Sequence, residues 1–390
     1  MVLENQLIVY VVLALLVAAV VSFLMTPVVK TFAYKVGAID VPKDARRMHK
    51  VPIPRLGGLA IFIGFLVSIV LFVNIRGNQQ MQSILLGAVI IVILGVVDDI
   101  TPLPAMFKFV VQIVAAAIPA MNGVVIQAIS NPNVFSDNLY WVLGWLSIPV
   151  TVIWIVAITN SVNLIDGLDG LANGVSAISA TTVLIIALLG SESQVALVMA
   201  ALVGACVGFM PYNLNPAKIF MGDTGATFLG YILATMSIQG LFKFYAVISF
   251  AVPFLILGLP IFDTTFAFIR RIAHGQSPMH ADRGHIHHRL IDMGLNQKQA
   301  VAALYVISSI LGLSAVMLTS SGAIKAMLFL MALAVAAFLA SRVIFRRDID
   351  KALQAEKAAA EEKSTETATP AETVPAEPEE ESNEKKKEEA

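Results

Sequence analysis

The sequence predicts an all-α, polytopic membrane protein of about eleven transmembrane helices. Three observations carry that prediction. Apolar residues fill 57% of the 390 positions and charged residues only 14%. The apolar residues gather in repeated runs of about twenty, each long enough to cross a hydrocarbon core of ~30 Å. The connections between the runs alternate in charge, as membrane topology requires. A soluble domain of this size would show shorter apolar runs broken by polar alternation.

In chain order the runs fall at 7–29, 56–74, 82–100, 106–121, 139–159, 174–190, 195–213, 225–241, 244–269, 300–319 and 323–345. The first is too long for a signal-peptide core, and no convincing small-residue cleavage site follows it, so it reads as a span. Segment 30–55 holds seven Lys/Arg and segment 270–298 holds five, whereas the opposite side has little beyond Arg76, Lys243 and Lys325. The positive-inside rule then puts the N-terminus outside and the C-terminus in the cytoplasm, which demands an odd number of spans. Pro253 and Pro260 lie inside the ninth run, where each favours a kink. Cys206 is the single cysteine; it rules out an intrachain disulfide and reads as a small packing residue.

Residues 1–347 read as the transmembrane catalytic body, and 348–390 as a charged cytoplasmic tail, mostly disordered. The tail carries 14 acidic and 6 basic residues, which leaves 13 acids and 20 basic residues for the body. So few acids in so long a body make their positions informative.

Asp98 and Asp99 end the third run as GVVDDI. Asp166 and Asp169 lie in NSVNLIDGLDGLANG (160–174), after the fifth, and Asp223 lies in MGDTGA, before the eighth. All fall on the expected cytoplasmic face. In 160–174, steps of three bring Asn160, Asn163, Asp166 and Asp169 toward one slowly drifting helical face, and the glycines permit close approach or end the helix. Adjacent aspartates cannot both ionise cheaply without a nearby cation. Aspartates with an asparagine are hard oxygen ligands suited to Mg²⁺, or Mn²⁺, held together with substrate phosphates. Lys108, Arg55 and the cluster HADRGHIHHR, with Arg283, His285, His287 and His288, supply groups that hold phosphate oxygens. Each motif also has a structural reading. A DD pair can be a helix cap, GDTG a turn and N-cap, and Asp263 the partner of a neighbouring helix.

Taken together these motifs resemble the polyprenyl-phosphate N-acetylhexosamine-1-phosphate transferases, glycosyltransferase family 4. The likeness rests on DVPKDARRMHKVPIPRLGG, VVDDI with Lys108, NSVNLIDGLDGLANG, FMGDTGATFLG and RGHIHHRL, and runs from about residue 26 to about 295. The HIHH loop looks like the GlcNAc-1-phosphate branch, particularly the teichoic-acid initiating enzymes. The resemblance implies transfer of GlcNAc-1-phosphate from UDP-GlcNAc to undecaprenyl phosphate, at the cytoplasmic face of a bacterial plasma membrane, by a homodimer. It implies Asp223 as the magnesium ligand with Asn163 as second contact. Asp98 becomes the candidate base, and Asp99 its partner or the positioner of Lys108. Asp169 would contact uracil and Phe220 stack on it; Asp166 is an acid of undefined role. Lys108, Arg55, Arg283, His285, His287 and His288 would hold phosphates and sugar. A covalent aspartyl-phosphate on Asp98 or Asp99 is the competing mechanism. A broken ninth helix beside a lipid groove is also implied.

Two other readings stay open. A phospho-MurNAc-pentapeptide translocase differs at the histidine loop. A secondary transporter would carry its ionisable groups near the bilayer midplane, not gathered at one face. No nucleic-acid partner is expected.

Overall fold

The computed structural model describes residues 2–42, 51–131, 140–240, 251–273 and 285–319, with positions 328, 331 and 335 beyond them. Helices dominate. The first is α1 (Val2–Val36), which outlasts the expected run by two turns and ends where Gly37 takes φ +76°. Glycine adopts this left-handed cap at no steric cost. A short antiparallel pair follows, β1 (Ile39–Asp40) with β2 (Ile53–Pro54), in the register Ile39↔Pro54 and Asp40↔Ile53. Then come α2 (Gly57–Phe72), α3 (Gln79–Ile100) and α4 (Ala105–Met121).

The expected fifth helix starts late. Residues from 139 do not begin it; β3 (Ala128–Ser130) pairs with β4 (Tyr140–Val142), and one 3₁₀ turn covers Gly144–Leu146. Gly144 at φ +54° breaks the run, and α5 (Ser147–Leu164) opens with Pro149 in its first turn, where a missing N–H is harmless. After it come α6 (Leu171–Leu189), α7 (Ser193–Asn213) and α8 (Gly222–Gly240). The expected ninth run is two helices, α9 (Ala251–Ile256) and α10 (Gly258–Ala273), broken between its two prolines. Two more follow: α11 (Ile286–Asp292) and α12 (Gln297–Thr319). The run 323–345 and the tail 348–390 lie outside the described residues, three isolated positions excepted.

Six of the described helices, α1, α3, α5 with its 3₁₀ turn, α6, α7 and α12, are long and apolar enough to cross a membrane; α2 and α4 are shorter apolar helices. α8 is different. It is buried along almost its whole length, packed against α3, α5 and α2. It needs no apolar outer face because other helices cover it.

Without a hydrophobic force between helices in lipid, packing rests on close approach and on hydrogen bonds. Both are visible. A Cβ on Gly204 would sit 2.1 Å from the Leu15 carbonyl oxygen, and one on Gly208 2.1 Å from that of Ala19, so α7 lies directly on α1. Ser22 Oγ donates to the Ala205 carbonyl at 2.8 Å, and Ser68 Oγ to that of Ala14 at 2.8 Å. At the start of α8 the approach is tighter still: a Cβ on Gly58 would lie 2.0 Å from the backbone nitrogen of Gly225. Segment 53–58 is fastened to the segment before α8 by Phe220 N to Pro54 O at 2.8 Å, Gly57 N to Phe220 O at 2.9 Å and Gly58 N to Met221 O at 2.8 Å.

The obstacle at Gly58 is backbone, so nothing flexible can yield. Gly58→Ala is therefore expected to lower the thermal midpoint in detergent far more than Ser68→Ala, which loses one bond worth ~1 kcal/mol or less. A Gly58→Ala protein as stable as wild type would show that α2 and α8 do not touch in this way.

Candidate functional site

The site begins with a cap. Asp99 ends α3, and its side chain is fully buried. Its Oδ1 accepts from Asp223 N at 3.0 Å, and its Oδ2 from Thr224 N at 3.0 Å and Thr224 Oγ1 at 2.6 Å. These are open N–H groups of the first turn of α8, and a carboxylate there also meets the positive end of the helix dipole. Arg55 balances the charge, with Nε and Nη2 each 3.1 Å from Asp99 Oδ1. Gly222 at φ +73° makes room: a Cβ there would fall 2.4 Å from Asp99 Oδ2. Gly95 lets Thr224 approach in the same way. The structural reading of the DD pair thus holds for Asp99, which does not touch Lys108 as its expected positioner would.

Lys108 is held instead by Asp98 Oδ2 at 2.9 Å and Asp223 Oδ2 at 3.1 Å. Asp98 Oδ1 accepts from Leu103 N at 2.7 Å, which folds the 101–104 turn back onto α3. Asn163 and Asp223 line one cavity. One turn further into the bundle, Asn160 Nδ2 donates to Gln112 Oε1 at 2.7 Å and ties α5 to α4 beneath Lys108. Gln112 is a partner that sequence reasoning missed, since a lone glutamine in an apolar helix carries no motif.

α5 does not continue through Asp166 and Asp169. It ends at Leu164, and turns lead to α6, with Gly170 at φ +77°. The expected helical face therefore covers Asn160 and Asn163 only, and the glycines at 167 and 170 act as breakers. Asp169 Oδ2 accepts from Asn215 Nδ2 at 2.9 Å and Ala217 N at 3.0 Å. Asp166 lines a cavity of about 480 Å³ that Arg55, Asn163, Asp169, Phe220, Asp223 and His288 also line. Burial, and then the charges of Asp223, Asp99 and Asp169, push the Asp166 carboxyl up to about 8.

Of the three expected loop histidines, the structure brings His288 to the cavity wall. His285 and His287 are buried. His287 fills the space a side chain at Gly167 would need, with Nε2 2.3 Å from the Cβ position, and so docks the histidine loop onto the 165–170 turn. Burial and the neighbouring His288 push it down to about 4, so at neutral pH it is an uncharged packing ring, not the phosphate holder expected. Asp263 bonds both His285 and the backbone of α11. Arg283 lies outside the described residues.

Among the described residues no three His, Cys, Asp or Glu side chains converge as a ready metal site. The cavity does, however, present Asp40, Asp99, Asp166, Asp169 and Asp223 against Arg55 and His288. Such a wall suits a hard divalent ion completed by ligand oxygens, as Mg²⁺ sites usually are.

The family model for glycosyl transferase family 4 matches residues 81–241, the stretch that carries Asp98, Asp99, Lys108, Asn163, Asp166, Asp169 and Asp223. The chain is also 41% identical over 311 residues to a probable undecaprenyl-phosphate N-acetylglucosaminyl 1-phosphate transferase of Bacillus subtilis, covering 80% of this chain and 86% of the relative. The chain belongs to glycosyl transferase family 4. A decaprenyl-phosphate N-acetylglucosaminephosphotransferase of Mycolicibacterium smegmatis is 31% identical over 77% of this family 4 chain and 80% of its own length. A phospho-N-acetylmuramoyl-pentapeptide-transferase of Streptococcus pyogenes is 32% identical over 57% and 72%. This family 4 protein is thus a multi-pass membrane transferase.

Asp166 gives the transferase a pH signature. Its pKa is raised from the ordinary carboxylate range near 4 to about 8, so the folded state holds a proton that the unfolded chain releases. The Asp166 contribution to stability in EDTA is therefore expected to be full below about pH 4 and to be lost as pH rises through about 8. Asp166→Asn should flatten that slope, read as thermal midpoint against pH. An unchanged slope in Asp166→Asn would mean that the strain lies elsewhere.

Proposed function

We propose that this protein transfers GlcNAc-1-phosphate from UDP-GlcNAc to undecaprenyl phosphate, giving undecaprenyl-pyrophosphoryl-GlcNAc and UMP. One observation carries the proposal. Asp98, Lys108, Asn163, Asp166 and Asp223 gather from four helices and one turn at a single end of an apolar bundle. A charged nucleotide sugar and a lipid-bound phosphate can meet only at such a boundary. The named relatives act on polyprenyl phosphates and N-acetylglucosamine phosphate.

In the proposed reaction an oxygen of the lipid phosphate attacks the phosphorus that bears the sugar. The bond from that phosphorus to the UMP oxygen breaks, and UMP leaves with the electron pair. A phosphate monoester is already largely ionised at neutral pH, so no proton need be removed to make the nucleophile. Asp98, with both oxygens engaged, serves here to aim Lys108 rather than as the base. Lys108 meets the pyrophosphate oxygens, and His288 the sugar phosphate. Asp169 and Phe220 face the uracil. Asp99 and Arg55 keep Asp223 in place. Asp223 and Asn163 would hold Mg²⁺, or Mn²⁺, which would supply charge neutralisation for the pyrophosphate.

The same reading places the cavity on the cytoplasmic face of a bacterial plasma membrane. Eleven spans, N-terminus outside, agree with the seven Lys/Arg of 30–55 and the five of 270–298. The acidic tail is then cytoplasmic and dispensable for turnover. The protein acts as a homodimer, and its product starts a cell-envelope polymer such as wall teichoic acid.

The test is UMP release by the purified protein in detergent with undecaprenyl phosphate and Mg²⁺. UDP-GlcNAc and UDP-MurNAc-pentapeptide are offered separately, each with an EDTA control. Release is expected from UDP-GlcNAc alone and only with metal. Asp223→Asn and Lys108→Met should each cut turnover about 100-fold or more, whereas deletion from residue 350 should leave it near wild type. Release from the pentapeptide donor alone would move the protein to the translocase branch.

A further inference from the structure

We infer that Asp263 is a positioning residue that sets the histidine loop for the donor; this rests on the role proposed above for His288. Asp263 is buried on α10 and does not itself line the cavity. Its two oxygens have separate tasks. Oδ1 accepts from Ile286 N, the first residue of α11, at 2.7 Å. Oδ2 meets His285 Nδ1 at 2.9 Å.

The first contact starts a helix. α11 has seven residues, too few to stand alone in water, and its opening N–H groups have no partner within the helix. A carboxylate supplied from α10 satisfies one of them and meets the positive end of the helix. The second contact orients a ring. With the carboxylate accepting, His285 carries its proton on Nδ1, and the ring is fixed in the manner of a carboxylate–histidine pair.

The orientation is passed on by stacking. His285 lies parallel to His287, with centroids 5.6 Å apart and planes 9° from parallel. His287 and His288 lie 4.3 Å apart. His287 is pinned on its other side by Gly167. His288, the last of the three, reaches the cavity. A shift at Asp263 therefore moves His288 through two intervening rings. The break before Gly258 is part of this device, because it starts a new helix whose inner face carries Asp263, Ala267 and Arg271.

The test uses the full chain in detergent. Asp263→Asn keeps an acceptor for Ile286 N but can turn an amide N–H toward His285. It should leave the thermal midpoint close to wild type, yet lower kcat/KM for UDP-GlcNAc about tenfold or more. The KM for undecaprenyl phosphate should not move. Asp263→Asn with His288→Ala should be no slower than His288→Ala alone, since both act through one ring. A separate arm needs no turnover: diethylpyrocarbonate labelling read by mass spectrometry should modify His285 about fivefold faster in Asp263→Asn, and Asp263→Glu should restore protection.

Unchanged labelling of His285 in Asp263→Asn would overturn the inference. So would additive losses in the double variant, or equal rises in KM for both substrates, which a general loosening of the bundle predicts. If Asp263→Asn does not fold, Asp263→Ser, too short to reach His285, decides by the same labelling, with faster modification of His285 expected. A wild-type protein that releases no UMP would end the functional reading, while the labelling arm would still decide Asp263.

Discussion

A buried carboxylate at a helix start organises this site. Asp99 closes the first turn of α8 with three hydrogen bonds and is itself balanced by Arg55. Removing one partner of such a buried pair leaves an uncompensated charge, a loss of ~3–5 kcal/mol. The geometry of Asp223 follows from that cap, because Asp223 is the first capped residue. Lys108 follows from Asp223 and Asp98. The adjacent aspartates of GVVDDI therefore have opposite duties: Asp99 faces α8 and builds, while Asp98 faces α4 and holds the lysine.

Glycine makes the cap possible. Gly58, Gly95 and Gly222 each remove a side chain from the place where α8 enters between α2 and α3. In lipid, where apolar contact alone gives helices little reason to associate, backbone approach of this kind is a main source of packing. The polar end of the bundle is thus rigid for the same reason that its apolar middle is. A site built on helix ends keeps its geometry better than one built on loops. The histidine loop is the exception, and it is held by a carboxylate from α10 and a ring against Gly167.

Much of this was legible in the sequence, for physical reasons. Long apolar runs can satisfy their backbone in lipid only as helices, and the described helices fall on ten of the eleven runs. The exception in outline came from glycine, since Gly144 delayed α5, whereas the break in the ninth run between Pro253 and Pro260 was expected. The gathering of Asp98, Lys108, Asn163, Asp166 and Asp223 was readable because acids are scarce and one-sided. What was not readable was who bonds whom. The resemblance made Asp99 the partner of Asp98 or the positioner of Lys108, but the turn at 101–104 gives Lys108 to Asp98. Treating HIHH as three equal phosphate ligands ignored helical geometry: α11 turns His288 to the cavity and His287 to Gly167. Asp263 looked like a partner for a neighbouring helix, and it is, but of a helix whose seven residues no periodicity could announce.

The charge of the cavity carries the last argument. Its described walls hold five aspartates against one arginine, and that arginine is already paired with Asp99. Lys108 is shared by two carboxylates. Such a wall repels a bare pyrophosphate. In the reaction proposed above, a pyrophosphate arriving with a divalent cation would turn that excess of carboxylates from an obstacle into a ligand set. Asp166 shows part of the same imbalance, since burial and then the charges of Asp223, Asp99 and Asp169 push its carboxyl up to about 8. Metal and donor should therefore bind as a pair, each weakly without the other. On that proposal the site would not need three converging carboxylates, because the donor would complete the coordination.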